Sequence, residues 1–215
     1  MVLKTKSYEV EEKWNAYSHA VGIVLSIIGM IIFSQNNINE APTLCVGIWV
    51  YSISLILLFT ASTIYHKTIN PKTKKRFRIL DHISIYYLIA GTYTPVCLTI
   101  LADSKGELLL YLVWSIAIFG TLLKLFFTGR FEVFSLVLYG VMGWLIVLDL
   151  NYLTTNSSNC LFYLGLGGLF YTVGIVFYAS KKIPFNHFIW HLFVLGGAIS
   201  HWLFVYKELI LKPIS

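Results

Sequence analysis

A chain of 215 residues that is 57% hydrophobic and only 12% charged, with a mean hydropathy of +0.74, is far from the composition of a soluble globular domain. It reads as an all-α integral membrane protein, and its connections are too short to hold a soluble domain, so residues 1–215 form one expected membrane domain. The net charge of +6 includes a basic run, KTKKRFR, set between two apolar stretches; membrane topology and contact with anionic lipid account for it, and nucleic acid is not an expected partner.

In chain order, seven apolar stretches approach the roughly 20 residues that a helix needs to cross a bilayer. They fall at about 16–34, 41–65, 79–101, 108–128, 131–150, 160–179 and 185–206, and differ too much from one another for a simple repeat. The first is long and is followed by no small-x-small cleavage pattern, so it is expected to stay in the mature protein rather than leave as a signal. Cys45, Cys97 and Cys160 lack CxxC spacing, which excludes a thiolate zinc module; a Cys45–Cys160 bridge is conceivable, but small apolar packing residues are the preferred reading.

The basic residues fall on alternate connections. Lys4, Lys6 and Lys13 precede the first span, Lys67, Lys72, Lys74, Lys75, Arg76 and Arg78 lie between the second and third, Lys124 and Arg130 lie around the fourth connection, and Lys181 and Lys182 lie in the sixth. The opposite side collects Lys105, Lys207 and Lys212. By the positive-inside rule the N-terminus is cytoplasmic and the C-terminus external.

That topology brings polar residues of three spans to one membrane face. The second span ends there with S-T-I-Y-H, placing Ser62 and His66 four apart; the third begins there with Asp81; and the seventh begins there with His187 and His191, again four apart. Four residues are about 400° of helix and about 6 Å of rise, so each pair shares a helix face at the spacing by which one helix supplies two ligands to one metal. Ionisable groups are costly in hydrocarbon and usually mark a site. Three imidazoles leave a fourth zinc position open, where water has its pKa lowered to about 7; Asp81 can orient that water and accept its proton, and Ser62 can hydrogen-bond a ligand, the water or a developing oxyanion. Each residue also has an ordinary reading: interfacial snorkelling for the histidines, pairing with Arg76 or Arg78 for Asp81, and helix packing for Ser62. His201, about 15 Å farther along its helix than His191, is too deep to share a metal with it. His82 points about 100° from Asp81 and competes weakly, whereas His19, at the start of the first span, competes in earnest.

These residues carry a resemblance. E-K-W-N-A-Y-S-H-A-V-G from Glu12 to Gly22, S-T-I-Y-H from Ser62, Asp81 in L-D-H, and H-F-I-W-H from His187 occur in order, and with them the chain resembles the haemolysin III branch of the progestin and adipoQ receptor family, related to the alkaline ceramidases. The resemblance implies a zinc ion held by His66, His187 and His191, with Asp81 beside the water and Ser62 close by, and no ligand role for His19. It implies a plasma-membrane protein, here expected in a bacterium with its site near the cytoplasmic face. Only about 15 residues precede the first span, and the external stretches QNNINE, ADSKGE and NYLTTNSSN are short, so a membrane lipid is the expected ligand or substrate rather than a protein hormone. The expected function is zinc-dependent hydrolysis of a lipid amide or ester, or lipid sensing through the same site, in membrane lipid homeostasis. The alternatives are a pore-forming cytolysin and a receptor-like scaffold in which zinc is structural.

Overall fold

A computed structural model of the chain describes residues 2–36, 41–157, 159–180 and 182–211, without the side chains of residues 2–7 and Cys160. Parts of QNNINE and NYLTTNSSN, the basic residues Lys181 and Lys212, and the Cys45–Cys160 pairing therefore lie outside the described residues. The helices are α1 (Val2–Ser34), α2 (Pro42–Lys67), α3 (Pro71–Leu98), α4 (Gly106–Phe127), α5 (Glu132–Trp144), α6 (Leu150–Asn156), α7 (Cys160–Ala179) and α8 (Asn186–Val205). A 3₁₀ segment, Leu145–Asp149, joins α5 to α6, and α8 runs into a π-type turn, Tyr206–Ile210. No strand occurs among the described residues.

Six helical runs are long and apolar enough to cross a membrane: Tyr8–Ser34, Pro42–Lys67, Gly106–Phe127, Glu132–Asn156, Leu161–Ala179 and Asn186–Ile210. The seventh expected span, within α3, has the length but not the apolarity, because Asp81, His82, Ser84, Thr92 and Thr94 dilute it. Two helices begin earlier than expected. α1 runs back to Val2 instead of starting near residue 16. The basic stretch 72–78, expected as a connection, forms the first turns of α3 because Asn70 caps it, accepting from Lys72 N at 3.0 Å and Thr73 N at 3.2 Å, and Pro71 occupies the first helical position.

Packing follows chain order and then closes: α2 lies against α1 and α3, α3 against α4, α7 against α8, and α8 returns to α1. α2 and α3 approach most closely where glycine permits, at Gly47 against the backbone of Pro95 and at Gly91 against Ser54, where a Cβ would collide. Tyr51, Tyr86, Phe33 and Phe59 fill the core, together with Cys97, in keeping with its reading as a packing residue. The break between α5 and α6 is repaired from α3. Tyr93 Oη accepts from Ile146 N at 2.8 Å and donates to Gly143 O at 3.1 Å, satisfying backbone groups at a depth where hydrocarbon offers none.

Two corners carry bulky residues in the left-handed region: Phe131 (φ 54°), ahead of α5, and Phe185 (φ 55°), ahead of α8. Such a conformation costs about 1–3 kcal/mol and persists only where the surrounding packing imposes it. Both corners lie next to residues of the site, Glu132 and His187.

Candidate metal centre

Helix α2 delivers Ser62 and His66 from its last turns, α3 delivers Asp81 from its third turn, and α8 delivers His187 and His191 from its first two. The helical spacing read from the sequence thus places all five at one end of the bundle. One ligand atom from each of His66, His187 and His191 lies within 4.8 Å of the others. The ring centroids stand 5.0 Å apart for His66–His187, 4.9 Å for His66–His191 and 4.8 Å for His187–His191. Nitrogens about 2.0–2.1 Å from one zinc sit about 3.4 Å apart in a tetrahedron, so the set is slightly open and small side-chain rotations close it.

The donor chemistry suits a metal. His66 Nε2 and His187 Nε2 are buried without a hydrogen-bond partner among the described residues, an expensive state for polar atoms unless something else binds them. The other ring nitrogen is engaged on two of the rings: His66 Nδ1 lies 3.1 Å from Glu12 Oε1, and His191 Nδ1 lies 3.1 Å from Asn15 O and 3.3 Å from Ser18 Oγ. Zinc, a tetrahedral acceptor of imidazole nitrogen, fits this set.

Asp81 and Ser62 are buried and line, with His187 and His191, a cavity of about 40 Å³, room for a water. Ser62 Oγ faces the Asp81 carboxyl. Arg78, a partner foreseen for Asp81, instead donates to Glu132 Oε1 at 3.3 Å. Glu132 lines the same cavity and also accepts from Lys124 Nζ at 2.8 Å, and Lys124 is buried almost completely, at 1% exposure. Above this cavity is a larger apolar chamber of about 220 Å³, bounded by α2, α3, α5, α6, α7 and α8; Leu58, Ile85, Tyr139, Trp190 and Val194 belong to the walls of both.

The remaining histidines take separate places. His19 stacks on His191, with centroids 3.6 Å apart and planes 12° apart; it lines the small cavity with neither nitrogen partnered, but stands outside the converging set. His82 faces Glu132, its Nδ1 3.7 Å from Oε2. His201 is in the wall of the apolar chamber, away from the cluster, as its depth along α8 requires. Glu12, Asn15 and Ser18, which touch the ring nitrogens, had no role assigned from the sequence. Glu12, Asn15 and Ser18 recur every third residue along α1, the one positional signal they carry.

Fold and site together define a helical integral membrane protein with a largely buried three-histidine cluster at one end. A family model described as "Haemolysin-III related" matches residues 7–202, and the chain belongs to that family. It is 44% identical over 190 residues to "Hemolysin-3" of Bacillus cereus, covering 87% of each chain, and 43% identical over 194 residues to "Hemolysin-3 homolog" of Bacillus subtilis, covering 88% of this chain and 90% of the relative. At lower identity, 30% over 209 residues, it resembles the human "Monocyte to macrophage differentiation factor", covering 94% of this chain and 86% of that one.

Proposed function

We infer that this protein is a zinc-dependent membrane hydrolase of a lipid amide or ester, or a lipid sensor built on the same site, which serves membrane lipid homeostasis. The observation that carries this reading is the junction of three converging imidazoles with an apolar chamber, which shares walls with the small cavity lined by His187, His191, Asp81 and Ser62. α3 serves as a seventh crossing helix, shielded by its neighbours from the lipid its polar residues would not tolerate. The alternation of basic connections supports a cytoplasmic N-terminus and site with an external C-terminus, and the bacillary relatives support a bacterial plasma membrane.

His66, His187 and His191 would hold the metal, which when bound would supply Lewis-acid polarisation of a carbonyl and acidification of a water. The apolar chamber takes the acyl chain and leaves the scissile carbonyl at the small cavity. Asp81 accepts the proton of the attacking water and returns it to the leaving group, and Ser62 donates a hydrogen bond to the developing oxyanion. The test is fatty-acid release by purified, zinc-loaded protein from a broad panel of lipid amides and esters. Release that is lost in His66→Ala and Asp81→Asn supports hydrolysis; no release from any member sinks the enzymatic form and leaves sensing or a structural metal.

The names of the two bacillary relatives support a second reading, membrane lysis through a helical pore. Red-cell lysis by purified protein that survives His66→Ala and His187→Ala favours the pore. Lysis lost in both variants favours a lipid-modifying cause.

A further inference from the structure

The motif E-K-W-N-A-Y-S-H on α1 has no part in the reading above, yet α1 touches all three proposed ligands. Glu12 Oε1 lies 3.1 Å from His66 Nδ1; Glu11 Oε1 accepts from His187 N at 3.3 Å; and the backbone carbonyl of Asn15 lies 3.1 Å from His191 Nδ1. Glu12 is further tied by an ion pair to Lys74 of α3.

These contacts decide which nitrogen each imidazole offers. An ionised carboxylate and a carbonyl can only accept, so Nδ1 of His66 and of His191 must carry the proton. In a neutral imidazole that leaves the lone pair on Nε2. For His66 that atom is the one buried without a partner. The geometry points to Glu12 as a positioning residue for the metal centre: with Lys74 behind it, the carboxylate fixes the tautomer and ring plane of His66 and makes Nε2 a stronger donor. Carboxylate–histidine pairs do this for zinc, and their loss typically weakens binding by about 10–100-fold. The inference rests on the three-histidine metal reading and adds a fourth helix, α1, to the centre.

The test uses purified full-length protein, with zinc affinity measured by competition with a chromophoric chelator and the absorption spectrum of the Co²⁺-loaded form as a second readout. Glu12→Ala is expected to weaken zinc by about 10–100-fold and to shift the Co²⁺ bands. Glu12→Gln, nearly isosteric and still able to accept from Nδ1–H, should fold like the parent and fall between the two, while Glu9→Ala, at an exposed position on the same helix, should match the parent. Parental affinity and spectrum in Glu12→Ala or Glu12→Gln overturn the assignment. So does a lower melting temperature of the zinc-free variant with zinc affinity intact, which marks a purely structural carboxylate. An unaltered chain that takes up no zinc defeats the metal reading itself, a result distinct from tight zinc binding in all the variants.

Discussion

At the end of the bundle that carries the histidines, side chains from α1, α2, α3 and α8 are buried against one another, and ring nitrogens of His66 and His191 have fixed partners. In the other half, α5 and α7 face a chamber of about 220 Å³ whose wall includes Gly140, Gly143, Gly165 and Gly168; at the first three an added Cβ meets nothing within 4 Å. The polar end is constrained from several helices at once, whereas the apolar half has slack. A rigid centre beside an accommodating chamber suits a ligand whose polar group is constant and whose hydrocarbon varies.

The contrast can be broken from the rigid end first. His191→Ala, which removes a proposed ligand with 1% exposure, is expected to abolish stoichiometric zinc, an affinity loss beyond the ~100-fold that outer partners bring; metal analysis of the purified protein reads it. Asp81→Asn should leave the zinc content intact and lower fatty-acid release by about 10²–10⁴-fold. Zinc lost along with activity would instead make Asp81 part of what holds the metal. Glu132→Ala strands the buried Lys124 ammonium without its carboxylate and should cost about 3–5 kcal/mol, seen as a lower unfolding midpoint at constant zinc content.

Filling the slack should have the smallest effect. Gly143→Leu projects a side chain where a Cβ now finds no neighbour, so zinc content and fold should hold. Turnover of the longest acyl chains should drop by about tenfold or more relative to short ones, tenfold being the low end of what a single methylene provides in an apolar pocket. Equal loss at every chain length would break the division between a rigid centre and a chamber that measures the chain.

The histidine end was legible in the sequence because its information is helical and local. HxxxH and SxxxH each fix a shared face, and alternating basic connections bring Ser62, His66, Asp81, His187 and His191 to one membrane side. The outer partners were less so. Asn15 acts through a backbone carbonyl, which residue identity does not encode, and Glu12 reads as one of several acids ahead of a span until His66 is seen 3.1 Å away. Glu132 opens the stretch expected at 131–150, but its partners Arg78 and Lys124 belong to α3 and α4, a pairing that no periodicity reveals. The interruption at Leu145–Asp149 has no proline to announce it, and its repair comes from Tyr93, some fifty residues away. The polarity of α3 is a further case: a helix whose work is internal carries the weakest membrane signal.

The left-handed corner at Phe185 also sets a phase. It immediately precedes α8, with no side-chain cap to hold the start of that helix. Each residue of register is about 100° of rotation, so a corner one residue longer or shorter would present another side of α8 to α2. His187 and His191 would then turn away from His66 together, because one helix carries both. The strained phenylalanine thus acts as an angular stop, holding at the membrane edge an orientation that the cluster inside requires.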